Sequence, residues 1–223
     1  MSILHTDAVD HILSSTVPHD DPILEEMEAQ ADRDGFPTIG HEVGSFLRLC
    51  ARLTGARSVF EFGSGYGYSA YWVAPALGAD GQIVLTEVDE AELEQAREYF
   101  ERGGYADRAV FEAGDALEVI ERYDGPFDLV LIDHENHRYV DGFEAVREKV
   151  APGGVVVADN VLNSGTEMTP RDLDAFLTGG ASADAGSTLE GVTEYYERVR
   201  DDPEFETTVV PVGEGLFASV RTS

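Results

Sequence analysis

The feature that most constrains this chain is a short apolar run that ends in closely spaced glycines. Residues 58–62 have the pattern of a buried strand, Gly63, Gly65 and Gly67 follow, and a helical pattern begins at Tyr68. A strand, a tight turn and a helix N-terminus in this order let the backbone approach a ligand at the carboxyl edge of a parallel sheet. We therefore expect an α/β fold with a ligand site at this turn.

Strand and helix patterns alternate along the chain after this turn. Alternation of this kind is typical of a parallel sheet with right-handed crossovers. The apolar and amphipathic periodicities predict strands at 58–62, 82–86, 109–113, 127–132 and 154–158, and helices at 68–77, 90–102, 115–122, 138–150, 170–178 and 189–201.

The first 55 residues carry helical patterns alone. We predict helices over 1–18 and 21–33, the second of them capped by Asp21. A third helix follows, and Thr38 is its predicted N-cap, because a side-chain oxygen there can accept a hydrogen bond from a free amide of the first turn. These helices form an N-terminal segment that precedes the sheet.

The last part of the chain has a hairpin pattern. Two β-rich runs, 206–211 and 216–220, flank Gly213-Glu214-Gly215, so the seven-stranded, mostly parallel sheet is predicted to end in an antiparallel strand. With no repeat and no linker, we predict one domain over residues 1–223, made of a helical segment (1–55) and an α/β core (56–223).

The chain is strongly acidic. Its 15 basic and 44 acidic side chains give a net charge of -29, and Lys149 is its single lysine. Such a charge repels nucleic acid and anionic membranes, so neither is an expected partner. The acidic, lysine-poor composition is typical of a halophilic cytoplasm. With no signal peptide pattern and no apolar run near the ~20 residues that span a bilayer, we expect a cytoplasmic protein.

The glycine turn favours S-adenosylmethionine (SAM) over a dinucleotide. The nicotinamide fingerprint Gly-x-Gly-x-x-Gly would need a glycine at residue 68, which is Tyr68. Glu61 directly precedes the turn. A carboxylate beside a pyrophosphate is unfavourable, whereas it suits the ammonium and sulfonium groups of SAM. The alternative is a tight strand–helix turn whose acid has only a structural role.

Two more acids follow the next strands. Glu87 ends the second strand, where an acid accepts hydrogen bonds from ribose hydroxyls in nucleoside-binding folds, and Asp89 is the neighbouring alternative. Asp115 follows the third strand and would lie near the adenine of a bound nucleoside. It is equally well placed to be the N-cap of the next helix.

Oxygen-bearing side chains also follow the fourth and fifth strands. Asp133 comes directly after one, and Asp159 and Asn160 come directly after the other. Since parallel strands end at one edge of a sheet, these side chains are expected to converge beside the glycine turn. Carboxylate and carboxamide oxygens suit a hard cation, Mg²⁺ first.

These motifs together resemble the cation-dependent O-methyltransferases, which include the catechol and caffeoyl-coenzyme A O-methyltransferases. The resemblance covers about residues 36–220 and implies a Rossmann-like methyltransferase sandwich, a homodimer, and methylation of a small, catechol-like hydroxylated molecule. It also implies that SAM is held by Ile39, Glu61, Gly63, Ser64, Tyr68, Ser69, Glu87, Asp115, Ala116, Asp133 and His134, and a divalent metal by Asp133, Asp159 and Asn160.

One departure from the family concerns catalysis. The family carries a lysine, assigned as general base, three residues after the first metal aspartate, and here that residue is Asn136. Asn136 cannot take a proton, so the neighbouring His137 is a candidate base beside Asp133. The alternatives are ionisation by the metal alone and a non-catalytic SAM-binding protein. A nicotinamide dehydrogenase is disfavoured by Tyr68.

Overall fold

The computed structural model describes residues 11–12, 15–16, 21–78, 80–165, 167–179 and 186–223. The helix predicted over 1–18 lies largely outside these residues. Two helices precede the sheet, α1 (Pro22–Asp34) and α2 (Gly40–Thr54). Asp21 caps α1 as predicted, because its Oδ1 accepts a hydrogen bond from the Ile23 amide at 2.9 Å.

The prediction that Thr38 caps α2 is wrong. The N-cap residue is Ile39, and no side chain bonds to the first turn. Gly40 has a φ of +70°, so the chain turns sharply there, and Thr38 lies before that turn. Thr38 instead lines a cleft together with Ile39.

Five parallel strands and their crossover helices form the centre of the molecule. Short 3₁₀ turns extend several of the helices. The elements are β1 (Ser58–Phe62), α3 (Tyr68–Val73), β2 (Gln82–Glu87), α4 (Glu90–Gly103), β3 (Ala109–Ala113), α5 (Ala116–Val119), β4 (Phe127–Ile132), α6 (Tyr139–Val146) and β5 (Val150–Ala158). The part after β5 contains α7 (Pro170–Leu177), α8 (Ser187–Arg200), β6 (Phe205–Val210) and β7 (Leu216–Arg221).

The seven strands lie in the order β3-β2-β1-β4-β5-β7-β6. Strand β7 is antiparallel to both of its neighbours, and the remaining pairs are parallel. The predicted seven-stranded, mostly parallel sheet with an antiparallel C-terminal strand is therefore confirmed. Strand β5 begins at Val150 rather than at 154, and Gly153-Gly154 lie within an irregularity of its pairing with β4.

Two apolar layers cover the sheet. One side is packed by α1–α4 through side chains such as Met27, Leu47, Trp72 and Phe100. The other side is packed by α5, α6 and α8, with Tyr195 fully buried. Burying both faces explains the continuous apolar runs of the central strands. Within the described ranges, no helix is long and apolar enough to cross a membrane.

Candidate active site

The glycine turn after β1 packs directly against the end of β4. A Cβ added to Gly63 would lie 2.6 Å from the Asp133 carbonyl oxygen, and Gly63 has a φ of +77°. A side chain at this position would push the two strand ends apart. Glycine there brings the turn and the end of β4 together, and a cleft of about 410 Å³ opens beside them.

Glu61 lies behind the wall of this cleft. It is 1% exposed, and its Oε1 accepts a hydrogen bond from the Ser69 hydroxyl, while its Oε2 has no partner among the described residues. Burial raises the pKa of the Glu61 carboxyl to about 7, and the hydroxyls of Ser69 and Ser64 partly oppose that rise. A buried carboxylate oxygen without a partner suits a cationic ligand.

Glu87 is fixed by three backbone amides at the end of β2. The Gly65 amide donates to its Oε2 at 2.9 Å, and the amides of Val88 and Asp89 donate to its Oε1 at 2.8 and 3.0 Å. Asp89, the alternative considered for this role, caps α4 by accepting a hydrogen bond from the Ala91 amide. Glu87 is thus the acid that faces the cleft.

Asp115 is the N-cap of a helix and also lines the cleft. It caps α5, because its Oδ1 accepts a hydrogen bond from the Leu117 amide at 2.9 Å, and it lines the cleft beside Ala116. Arg138 donates to its Oδ2 at 2.7 Å. Burial raises the pKa of the Asp115 carboxyl, but the bonds from Arg138 and Leu117 outweigh it, so the net pKa is lowered.

The His134 ring is part of an aromatic stack below the cleft. Its centroid lies 5.4 Å from Phe62 and 5.6 Å from Tyr139. Burial, followed by the charge of Arg138, lowers the pKa of His134 to about 4. The imidazole is therefore neutral near pH 7 and offers a flat, uncharged surface to a ligand.

Asp133 and Asp159 follow residues that pair directly in the sheet. Ile132 and Ala158 are partners between β4 and β5, and the Asp159 amide donates to the Ile132 carbonyl at 3.2 Å. Burial, followed by the charge of Asp159, raises the pKa of Asp133 well above its usual value. Burial also raises the pKa of Asp159 to about 7. The charge of Asp159 therefore disfavours ionisation of Asp133.

Asn160 completes the set of oxygen donors. It has a φ of +55°, and its amide donates to Asp159 Oδ1 at 2.7 Å. No arginine or lysine of the described part of the chain forms an ion pair with Asp133 or Asp159. Among the described residues, no three acidic, histidine or cysteine side chains are arranged to hold a metal ion, so a metal at Asp133 and Asp159 would need the Asn160 carboxamide. Buried, uncompensated carboxylates beside a carboxamide fit a hard divalent cation.

Most of the predicted site residues line this one cleft. Glu61 lies behind it, and neither Asn136 nor His137 lines it, although Arg138 of the same 3₁₀ turn does. The lining includes Ile39, Gly63, Ser64, Tyr68, Ser69, Glu87, Asp115, Ala116, Asp133, His134, Asp159 and Asn160.

Arg138 and Phe36 are among the cleft residues that sequence reasoning missed. Arg138 carries the cleft's one guanidinium within the described lining, and Phe36 approaches the glycine turn so closely that a Cβ on Gly65 would lie 2.8 Å from its ring. A cation five residues after Asp133, the first proposed metal-binding acid, was the available signal for Arg138. Phe36 follows a helix-ending glycine and had no comparable signal.

A Rossmann-like sheet with a glycine turn, an acid at the end of β2 and a buried carboxylate at its carboxyl edge is typical of the SAM-dependent methyltransferases. The model of the O-methyltransferase family matches residues 14–222. The chain therefore belongs to the O-methyltransferase family, whose members are SAM-dependent enzymes.

Named relatives and solved structures agree with this assignment. A catechol O-methyltransferase from Mycobacterium tuberculosis is 35% identical over 167 residues, covering 74% of this chain and 76% of the relative. Caffeoyl-CoA O-methyltransferase 1 from Eucalyptus globulus is 28% identical over 239 residues, covering 100% and 92%. The structure of an O-methyltransferase from Bacillus cereus in complex with SAH matches with a TM-score of 0.81 and 28% identity, covering 96% and 97%.

Proposed function

We propose that this O-methyltransferase requires a divalent cation, Mg²⁺ first, and methylates a hydroxyl of a small, catechol-like molecule. The observation that carries the proposal is the pair Asp133 and Asp159, which follow directly paired residues of β4 and β5 and have no cationic partner in the described chain. Together with Asn160, they are the residues that would hold the metal. A bound cation would orient adjacent substrate oxygens and lower a hydroxyl pKa.

The remaining residues of the cleft have separate tasks in this proposal. Glu61, through its buried oxygen, would bind the cationic methionine end of SAM, and Ser69 orients that carboxylate. Glu87, fixed by three amides, would accept the ribose hydroxyls. The neutral His134 would contact the adenine. Holding both reactants in one enclosed cleft supplies much of the rate acceleration.

The charge of the cleft favours an uncharged acceptor. Five carboxylates and one guanidinium line it, and that guanidinium, Arg138, is held by Asp115 at 2.7 Å and Glu135 at 3.6 Å. A coenzyme A ester brings several phosphate charges, for which the described lining offers no free cation. A small diol without phosphates avoids this repulsion.

The proton acceptor remains a prediction. His137 is exposed on the 3₁₀ turn after β4, next to Asn136. If His137 takes the proton, His137→Ala lowers kcat by about 10²-fold. An unchanged rate removes His137 from the mechanism and leaves ionisation to the metal and the solvent.

The proposal is tested by transfer of a labelled methyl group from SAM. The wild type is given catechol or caffeoyl-CoA, in high KCl, with Mg²⁺ or with EDTA. We expect methylated catechol with Mg²⁺, no product with EDTA and little product from caffeoyl-CoA. SAM binding without turnover of any diol would favour the alternative, a non-catalytic SAM-binding protein.

Two broader predictions accompany this function. The net charge of -29 supports stability and activity in concentrated KCl, as in a halophilic cytoplasm. A homodimer is expected from the family resemblance, and the exposed Leu49 and Leu53 of α2 offer apolar surface for it. The oligomeric state is measured by light scattering in about 2 M KCl, where repulsion between surface charges is screened.

A further inference from the structure

The peptide group between Asp159 and Asn160 joins two of the three proposed metal ligands. Its nitrogen donates a hydrogen bond to Asp159 Oδ1 at 2.7 Å, and its carbonyl oxygen accepts one from the Tyr139 hydroxyl at 3.0 Å. The preceding amide, that of Asp159, donates to the Ile132 carbonyl at 3.2 Å. Of these three bonds, only that from Tyr139 comes from a side chain of another element.

The backbone at this position has a conformation that needs support. Asn160 has a φ of +55°, and it is the one non-glycine residue with a positive φ in the described part of the chain. The left-handed region is unfavourable for a residue with a Cβ, and such residues persist near functional sites where surrounding contacts fix them. The bond from Tyr139 is such a contact, because the carbonyl carbon of Asp159 is one of the four atoms that define this φ.

Tyr139 is suited to hold a carbonyl because packing fixes its ring. It is the first residue of α6 and is fully buried. Its ring stacks on that of His134 at an interplanar angle of 22° and meets the ring of Tyr195 edge-on, at centroid distances of 5.6 and 5.7 Å. A phenylalanine would fill the same apolar space, so the packing explains the ring and the bond to Asp159 explains the hydroxyl.

We propose that Tyr139 is a positioning residue for the metal, because its hydroxyl fixes the peptide group between Asp159 and Asn160 and thereby aims both side chains at one cation. The inference rests on the proposed function, in which these residues hold a metal. Tyr139 is not among the described residues that line the cleft, so it acts through the ligands and not on the substrate. Removing a group that orients metal ligands typically lowers metal affinity by about 10- to 100-fold.

The test measures the Kd for Mg²⁺ by calorimetry in Tyr139→Phe, with SAH present. This variant loses the hydroxyl but keeps the ring and its stacking on His134. We expect the Kd for Mg²⁺ to rise about tenfold. The Kd for SAH, measured with EDTA, should stay unchanged, because Glu61 and Glu87 lie on the strand ends of β1 and β2 and keep their contacts. Equal losses of Mg²⁺ and SAH binding would contradict a role in positioning the metal.

Methyl transfer to catechol supplies a second readout. If Tyr139 acts through the metal ligands, the Mg²⁺ concentration for half of the maximal rate rises about tenfold in Tyr139→Phe. The rate at saturating Mg²⁺ should return to that of the wild type, since the variant keeps every proposed ligand. A loss of rate that excess Mg²⁺ does not restore would overturn the inference, because it would mean that the hydroxyl serves another step.

Tyr195→Phe is the matched control. It removes the same hydroxyl from the neighbouring ring of the same buried cluster, and we expect it to leave the Kd for Mg²⁺ unchanged. Circular dichroism melts show how much stability each variant loses. If the wild type binds Mg²⁺ and Tyr139→Phe binds it as tightly as Tyr195→Phe does, the inference fails alone, whatever the melting temperatures. If the wild type itself binds no Mg²⁺, the proposed function fails and the inference falls with it.

Discussion

Two buried aspartates of this molecule, Asp202 and Asp159, have opposite electrostatic surroundings. Asp202 follows α8, and Arg147 donates to it at 2.6 and 2.9 Å while Arg198 donates at 2.6 Å, so its pKa is lowered well below the usual range. Asp159 is 2% exposed and has no such partner among the described residues, and burial raises its pKa to about 7.

The difference separates a structural acid from a functional one. Around Asp202 the chain supplies the counter-charges itself, on the last turn of α8 and after α6, so the acid is stabilised in the folded state. Around Asp159 it supplies another acid, Asp133, and a carboxamide. An uncompensated pair of buried acids costs stability and is retained where an external cation can pair with it.

The largest expected effect is loss of activity in Asp159→Asn. If the pair Asp133–Asp159 holds the cation, removing one charge lowers methyl transfer by about 10³-fold or more, since a metal supplies several kcal/mol of transition-state stabilisation. Labelled methyl transfer to catechol measures this. The same variant should melt no lower than the metal-free wild type, because an unfavourable buried charge has been removed.

Mg²⁺ provides the control for this variant. It should raise the melting temperature of the wild type, because a ligand that binds only the folded state stabilises it, and it should leave Asp159→Asn unchanged. A variant that keeps its activity, or that gains the same thermal shift with Mg²⁺, would contradict the proposed metal site.

The second effect is loss of stability in Asp202→Asn. Breaking a buried ion pair costs about 3 kcal/mol, which for a chain of this size lowers the melting temperature by about 10 °C. The folded pKa of Asp202 is lowered, so its stabilisation is complete above the unfolded pKa of about 3.9 and is lost as the pH falls below it. Thermal melts between pH 3 and 8, roughly spanning that value, should show a shallower acid loss in the variant. Equal melting temperatures would remove the contrast between the two acids.

Much of the fold was predictable because the signals were local. Each signal occupies a short stretch of sequence, namely β1 with its glycine turn and the acids at or directly after the ends of β2, β4 and β5. A parallel sheet brings these strand ends to one edge. The Gly213-Glu214-Gly215 turn likewise predicted the β6–β7 hairpin. The ends of the helices and strands were predicted less accurately, because 3₁₀ turns and the irregular start of β5 depend on packing.

Contacts between segments that are far apart in sequence could not be predicted from local patterns. Ser164 meets Asn136 over 28 positions and Arg147 meets Asp202 over 55, and nothing in either local pattern indicates the partner. The side-chain amide nitrogen of Asn136 has no hydrogen-bond partner among the described residues, which is equally invisible in sequence because it depends on which neighbours remain after folding. The residue types of the site could be predicted from the sequence, whereas tertiary contacts decide which of their polar atoms have hydrogen-bond partners.

A smaller effect is expected at Glu61, the other buried acid with a raised pKa. Its ionised form should bind the cationic end of SAM, so protons compete below a pKa of about 7. We expect the Kd for SAM to rise about 20-fold as the pH falls from about 7.5 to about 5.5, because the ionised fraction of a group with this pKa falls from roughly three-quarters to about 3%. Glu61→Gln should bind about tenfold more weakly at the upper pH and lose most of this dependence. The exposed Glu206→Gln on β6 is the control, and a Glu61→Gln profile matching it would exclude the role.

The smallest expected effect concerns Asp115, which is intermediate between the fully paired Asp202 and Asp159, an acid with no ion-pair partner among the described residues. Asp115 and Arg138 pair at 2.7 Å, but their side chains are 34% and 27% exposed, so solvent screens the pair. Arg138→Gln should therefore weaken SAM binding by only about threefold, within the range of partly exposed ion pairs. The Leu117 amide still holds Asp115 in place in that variant. Arg122→Gln, which breaks the Arg122–Glu112 pair away from the cleft, should leave the Kd unchanged. A loss of SAM affinity beyond about tenfold in Arg138→Gln would contradict this expectation. It would mean that SAM binding needs the Asp115–Arg138 pair as strongly as folding needs the ion pairs of Asp202.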